Sequence, residues 1–330
     1  MNRSTPIISF VIPFYNVEKY IRKCIDSIYS QNIDNDLFEV LLIDDCSVDR
    51  SRDIVLKYLS RKNLKLITHE ENKYVGGGRN TGLLNATGKY IWFIDSDDFL
   101  KENVVQNLIS TAEKHDLDYL NFNYCLANDQ NHIQEIKSLA VETNVITGLE
   151  FVKNNQKYWA KVNTESWRKI WKRDFLIDNN LLFAEKANYQ DLSHSIRASL
   201  VANRMMHINE SPYCYRQNPD SVQRVEENGH RVYQRVLVSI RLKKLKKKIE
   251  DIDATYAALI QNSLTYYSSI SVQKYFSLLP KEKKVFHQLS KRRDLIKLYS
   301  QLGRKNKLRL IKIYVDSIRN IFLNSFISKS

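Results

Sequence analysis

Tyr90-Ile-Trp-Phe-Ile-Asp95-Ser96-Asp97-Asp98 is the stretch on which the reading of this chain turns. An apolar run of strand length ends in three carboxylates within four positions. In open α/β sheets, ligands bind beyond the carboxyl ends of the strands. Like charges this close repel unless solvent, a cation or a basic residue compensates. A hard divalent cation carrying a diphosphate is a natural partner, because oxygen ligands suit Mg or Mn and one or two protein carboxylates suffice. The plainer alternative is a solvated acidic turn capping a helix that begins near Glu102.

Working outward, the first 127 residues alternate strand and helix signals. Ile7–Ile12, Phe38–Ile43, Leu64–Thr68, Lys89–Ile94 and Asp118–Leu126 read as short buried strands. Tyr20–Tyr29, Ser51–Leu59 and Gly82–Ala86 read as helices between them. Such alternation predicts an α/β fold with a mostly parallel central sheet and helices on both faces. Further on, Gly148–Asn155, Trp167–Asn179 and Leu192–Asn203 read as helices, and Met205–Arg216 as a strand running into a turn at Asn218-Pro219-Asp220. From His230 every segment reads as helix, punctuated by Pro280 and Gly303.

Two further motifs flank the acidic run. Asp44-Asp45 closes the second strand, where a carboxylate can accept from a base N–H or a ribose hydroxyl; Ser47 and Asp49 can equally cap the next helix. Asn72-Lys-Tyr-Val-Gly76-Gly77-Gly78-Arg79-Asn80-Thr-Gly82 reads as glycines ahead of a helix, letting backbone approach an anion while Arg79 adds a fork of donors. These glycines follow the third strand, whereas the dinucleotide fingerprint follows the first, where this chain has Pro13-Phe-Tyr-Asn. That placement argues against a nicotinamide or flavin enzyme, and the lack of a Gly-x4-Gly-Lys-Ser/Thr loop excludes a P-loop NTPase.

The set Ser9-Phe-Val-Ile-Pro-Phe-Tyr-Asn16, Asp44-Asp45-Cys-Ser-Val-Asp49, Gly78-Arg79-Asn80-Thr-Gly82 and Phe93-Ile-Asp95-Ser-Asp97-Asp98 resembles family 2 glycosyltransferases with the GT-A fold. The resemblance is strong over about residues 5–125. Over 160–222 the chain looks like bacterial enzymes that build or decorate capsule, lipopolysaccharide and wall teichoic acid. It implies an inverting transfer of sugar from a nucleotide-diphosphate donor, a UDP-sugar, to a glycan, polymer or lipid-linked hydroxyl. Pro13 and Tyr15 would flank the nucleobase and Asp45 would read it. Asn72 and Arg79 would lie along the donor nucleotide. Asp95-Ser96-Asp97 matches the family's Asp-x-Asp motif, with Asp95 toward the ribose and Asp97 on a Mn or Mg ion; Asp98 would cap or orient its neighbours.

The reaction also needs a general base for the acceptor hydroxyl. The resemblance implies Asp191, in Ala187-Asn-Tyr-Gln190-Asp191-Leu-Ser-His194, with Gln190 standing where related enzymes carry Glu. The alternative for Asp191 is a helix N-terminal carboxylate. Trp167, His194, Tyr215 and Arg216 are the acceptor-side expectations, with Ser221 completing a closing Tyr-Arg…Ser motif. Trp167 and Trp171 stand four apart and read equally as a core stripe. The reading from another class is a catalytically inactive sugar-nucleotide-binding or scaffolding protein.

Charge divides the chain. Residues 241–330 hold 21 Lys and Arg against 6 Asp and Glu, leaving 30 against 31 in the first 240 of the +14 total. The division expected is a GT-A catalytic domain at 1–225 and a basic helical region at 226–330. Leu308, Ile311, Val315, Ile318 and Phe322 recur at three- and four-residue steps, with Arg309, Lys312 and Arg319 off that stripe. Lys243–Lys248 adds a second cluster. An anionic membrane surface attracts such a helix; packing on the catalytic domain with solvated Lys faces is the alternative. No nucleic-acid reading motif is present. With no run of 18 apolar residues and four scattered cysteines (Cys24, Cys46, Cys125, Cys214), the expectation is a cytoplasmic protein with reduced thiols, peripheral on the inner face of the cell membrane. Ile7–Ile12 is too short for a signal peptide.

Overall fold

The computed structural model describes residues 5–128, 130, 132–136, 140, 142–156, 164–217, 228–299 and 301–327. Asn218-Pro219-Asp220 and Ser221 lie outside them. The chain forms two compact units, Met1–Ser221 and Val222–Ser330.

The first unit is built on one sheet, nine-stranded among the described residues. In chain order its elements are β1 (Ile8–Phe14), α1 (Ile21–Tyr29), β2 (Phe38–Asp44), α2 (Ser51–Leu56), β3 (Leu64–Thr68), α3 (Tyr74–Asn85), β4 (Tyr90–Phe93), β5 (Phe99–Leu100), α4 (Val105–Lys114), β6 (Tyr119–Ala127), β7 (Ile133–Glu135), α5 (Gly148–Asn154), β8 (Lys169–Lys172), α6 (Arg173–Asp178), α7 (Gln190–Val201) and β9 (Met205–Arg216). The order across the sheet is β3-β2-β1-β4-β8-β6-β9-β5, with β7 paired to β6. β3, β2, β1 and β4 are parallel, as buried runs joined by helices require. β8 then enters antiparallel between β4 and β6, and β9 lies parallel to β6. The parallel arm is thus followed by a mixed one.

Every residue of β1 and β2 is buried. Residues alternate between two cores: Phe10, Ile12, Val40 and Leu42 pack with Trp92 and α1, while Val11, Leu41, Ile43 and Phe93 pack with Trp171 and Phe183. Trp92 ties the centre by donating Nε1–H to the Trp167 carbonyl at 2.8 Å.

Several elements differ from the sequence reading. Trp167–Asn179 is a 3-10 turn at Ser166–Arg168, then strand β8, then α6. Trp171 is fully buried between β4 and β6, so burial on both sides overrides a local helical spacing. The acidic run is followed by β5, and the next helix begins at Val105 rather than near Glu102.

The glycine run lies inside α3, not ahead of it, and no glycine has positive φ. Its role is close approach. A Cβ at Gly78 would sit 2.6 Å from Pro13 Cβ, one at Gly82 2.1 Å from Val11 Cγ1, and one at Gly76 2.5 Å from the Ala184 carbonyl oxygen. The missing methyls let α3 settle onto β1 and against the segment before α7.

The second unit is helical: α8 (Gly229–Ile249), α9 (Ala254–Ser277), α10 (Pro280–Leu289), α11 (Arg292–Tyr299) and α12 (Arg304–Ile327). Asn228 and Asp253 cap α8 and α9 through their side chains, and Pro280 opens α10. Val232, Val236, Val272, Tyr275, Phe286, Leu295, Leu298, Leu310 and Ile313 share a separate core. No described helix is long and apolar enough to cross a membrane.

Gly82→Ala is expected to destabilise the protein by about 1–3 kcal/mol, the cost of overpacking against Val11. Gly303→Ala, whose Cβ meets nothing within 4 Å, is expected to be neutral or to stabilise by about 0.4–1 kcal/mol. Urea unfolding of the two variants checks this; equal effects would contradict the close-approach role.

Candidate active site

β4 delivers Asp95, Ser96, Asp97 and Asp98 at its carboxyl end, α3 delivers Arg79, and α7 delivers Asp191 from its first turn. Arg79 joins them. Its Nη2 donates to Asp95 Oδ1 at 2.6 Å and its Nη1 to Asp191 Oδ1 at 2.5 Å. The Arg79 side chain is 1% exposed, while Asp95 and Asp191 are 28% and 27% exposed. The cation is therefore interior and both carboxylates reach the surface beside it. Burial works against the Arg79 charge, yet Asp191 and Asp95 raise its proton affinity above the ordinary guanidinium range. Burial, with Asp191 nearby, lifts Asp95 above the usual carboxylate range against the pull of Arg79. The Arg79 guanidinium also stands 5.4 Å from the centre of the Phe183 ring.

Ser166, buried in the 3-10 turn before β8, donates its hydroxyl to the same Asp191 Oδ1 at 2.6 Å. Two donors thus converge on Oδ1, and Oδ2 has no partner among the described residues. Gln190, the residue replacing Glu, is buried against Gly76, and its Oε1 accepts no hydrogen bond among the described residues.

The other acidic residues divide by their bonds. Asp98 is buried: Oδ2 accepts from the Tyr213 hydroxyl at 2.6 Å and Oδ1 from the Arg216 N–H at 2.7 Å. Burial and the charges of Asp97 and Asp95 push its carboxyl well above the usual range. Tyr213 also accepts from the Asp95 N–H at 3.1 Å, and Arg216 Nε donates to the Asp97 carbonyl at 2.8 Å. β9 therefore clamps the acidic turn, with Asp98 as its internal anchor. Asp97 is half-buried and Ser96 buried.

Beyond β1, Tyr15 is exposed, whereas Pro13 is buried beneath α3. Asp45 is buried: its Oδ1 meets His69 Nδ1 at 2.7 Å and accepts from the Lys73 N–H at 2.8 Å. His69 Nε2 meets Thr81 Oγ1 at 2.8 Å, so the second strand loop is tied to α3. Asn72 makes the turn just before α3, accepting from the Tyr74 N–H at 3.0 Å and donating to the Asp45 carbonyl at 3.2 Å. Asp44 Oδ1 accepts from the Ser47 N–H at 2.9 Å, and Asp49 from the Ser51 N–H at 2.9 Å. These latter residues build the turn into α2.

The aromatic expectations land in packed surroundings. Trp167 is buried and stacked on Tyr213 at 4.5 Å and on Tyr215 at 5.7 Å, residues that share one face of β9. His194 is buried and stacked on Phe183 at 3.9 Å. Burial, with Arg197, Lys169 and Arg79 nearby, pushes its pKa well below the ordinary histidine value, so it stays neutral. The structure places His194 in the core, not on an open face.

Sequence reasoning missed Ser166, Tyr213, His69 and Lys169. Lys169 is buried beside Trp171 and donates Nζ–H to the Glu165 carbonyl at 2.8 Å. Burial, partly offset by Glu165 and Asp191, brings its pKa down to about 7. Only Tyr213 left a sequence signal, standing two residues before Tyr215.

The sequence pattern described as Glycosyl transferase family 2 matches residues 9–175. The chain belongs to that family. It is 29% identical to the glycosyltransferase EpsJ of Bacillus subtilis over 223 residues, 66% of this chain and 63% of EpsJ, so it spans less than two thirds of that relative. It is 30% identical to the glycosyltransferase GlyG of Streptococcus pneumoniae over 232 residues, 67% of this chain and 74% of GlyG. The solved structure of residues 1–349 of S. aureus TarS in complex with UDP-GlcNAc superposes with a TM-score of 0.66 at 22% identity, covering 95% of this chain and 88% of that one. The fold is therefore GT-A. TarS is named a poly(ribitol-phosphate) beta-N-acetylglucosaminyltransferase.

The buried lysine gives a pH test. Its proton leaves at about 7 in the folded chain and near 10.5 in the unfolded one. Between those values the unfolded chain binds the extra proton, so stability rises with pH. Lys169→Met is expected to flatten that rise by up to about 1.4 kcal/mol per pH unit between pH 7 and 10. Urea unfolding at pH 7, 8 and 9 measures it; parallel profiles for the two proteins would contradict a deprotonating Lys169.

Proposed function

We propose that this chain is a metal-dependent, inverting glycosyltransferase. It moves a sugar from a nucleoside diphosphate, a UDP-sugar, onto a hydroxyl of a glycan, polymer or lipid-linked acceptor in bacterial surface polysaccharide synthesis. The observation that carries this reading is the meeting of Asp95 and Asp191, 96 positions apart in the sequence, on one buried arginine. A strand-end carboxylate of the donor motif and a helix carboxylate suited to proton transfer then share one rigid support. The UDP-GlcNAc complex of TarS supports the choice of donor class.

The residues present fit a divalent cation. Asp98 spends both oxygens on Tyr213 and Arg216, and Asp95 spends Oδ1 on Arg79. Asp97 lies on the same turn and is half-exposed. Among the described residues no three His, Cys, Asp or Glu side chains converge, and Mg or Mn needs only one or two carboxylates when phosphate oxygens complete its shell. Asp97 would hold the cation, whose chemistry is stabilisation of the charge developing on the departing diphosphate.

The chain's own residues do the rest. Tyr15 offers an exposed ring to the nucleobase over the support of Pro13, and Asp45 is held by His69 with Oδ1 engaged, leaving Oδ2 for the base. Asn72 sets the start of the helix that carries Arg79. Asp191 takes the acceptor proton on Oδ2, because Arg79 and Ser166 hold Oδ1. One in-line displacement inverts the anomeric centre. Trp167, Tyr215 and Arg216 act on the acceptor side through the packed wall that fixes the acidic turn, and His194 as a neutral support on the buried face of α7.

Screening nucleotide-sugars for Mn-dependent rise in melting temperature identifies the donor, since a ligand bound only to the folded state stabilises it. Asp97→Asn is expected to lose that rise. Asp191→Asn is expected to keep it while turnover falls roughly 10²–10⁴-fold. Undiminished turnover in Asp191→Asn, or an unchanged donor response in chelator, contradicts the mechanism; donor binding without turnover in the wild type points to an inactive sugar-nucleotide-binding protein.

A further inference from the structure

The last helix carries two apolar lines, and only one of them is used. α12 packs into the helical unit through Leu310 and Ile313, both buried with Tyr275, Phe286 and Leu298. Leu308, Ile311 and Val315 are 64%, 47% and 40% exposed. At 100° per residue these three fall within about 60° of one another, on the side opposite Leu310 and Ile313. Arg304, Lys305 and Lys312 flank them and are exposed as well.

Water-facing helix surfaces ordinarily carry no continuous apolar line once the inner face is satisfied. Here the inner face is satisfied, so the outer line is not core left over. Its basic border chooses the occupant. A neutral apolar partner gains nothing from Arg304, Lys305 and Lys312, and a second copy of this chain would oppose like charges across the contact. An anionic lipid surface matches both components, apolar side chains entering the acyl boundary and ammonium groups remaining among the headgroups.

We propose that the outward face of α12 is a docking surface for an anionic membrane, with Leu308, Ile311 and Val315 inserting and Arg304, Lys305 and Lys312 binding headgroup charge. It goes beyond the transferase reading, and lipid binding is read without turnover, so either can fail alone. Deleting the helix is not a fair test, because it removes Leu310 and Ile313 from the core. Exposed substitutions are.

Sedimentation of the full chain with vesicles of phosphatidylglycerol and phosphatidylcholine, and with phosphatidylcholine alone, is the experiment. The wild type is expected to bind the mixed vesicles and not the neutral ones. Lys305→Gln with Lys312→Gln is expected to weaken binding about fivefold per residue, the equivalent of about 1 kcal/mol each. Leu308→Ser with Ile311→Ser and Val315→Ser is expected to weaken it at least about tenfold with an unchanged melting curve. Raising salt should weaken the wild type too. Equal binding to both vesicles, binding to neither, or wild-type binding by the serine variant overturns the proposal. So does a concentration-dependent dimer that the serine variant abolishes.

Discussion

Arg79 is the constraint on which the catalytic unit depends. A guanidinium removed from water is tolerated only with compensating charge and hydrogen bonds. Asp95 and Asp191 supply both, and neither can leave without stranding the cation. The pairing therefore fixes three elements at once: the end of β4, the middle of α3 and the first turn of α7. The absent side chains of the α3 glycines are what bring the helix close enough for Arg79 to reach both carboxylates. Packing at Val11 and Pro13 and charge at Asp95 and Asp191 are two halves of one arrangement.

The second layer is the clamp from β9. Asp98, Tyr213 and Arg216 form a closed set of bonds around the acidic turn, and the stack of Trp167 on Tyr213 and Tyr215 fills the wall behind it. Trp167 and Tyr215, aromatic residues expected on the acceptor side, stand in that wall. The three aspartates of one short run thereby take different partners. Asp95 goes to the arginine, Asp98 to the interior, and Asp97 to the ligand side on the reading proposed above.

Much of this was legible from one sequence because burial and turn chemistry write themselves locally. Leu64–Thr68 and Met205–Arg216 are the strands their apolar runs predict, and Asp95 falls at a strand end as expected. Trp167–Asn179 was not legible as a strand and a short helix, because its strand exists only through pairing with β4 and β6. The glycine run misled for a related reason. Glycine ahead of a helix and glycine buried within one look alike until the neighbouring strand is in place. Ser166 and Lys169 left no pattern at all; their partners are set by tertiary contact. The apolar line of the last helix was visible, but its outward orientation was not, since Leu310 and Ile313 offer an inner line of similar strength.

The central claim is that one buried arginine holds Asp95 and Asp191 together. It is tested most directly by urea unfolding of Arg79→Met beside Arg79→Met with Asp95→Asn and Asp191→Asn. Removing the cation alone leaves two carboxylates facing each other and is expected to cost about 3–5 kcal/mol. Neutralising both carboxylates in the same chain is expected to recover most of that loss. A single variant within about 1 kcal/mol of wild type, or a triple variant no more stable than the single, would contradict the account.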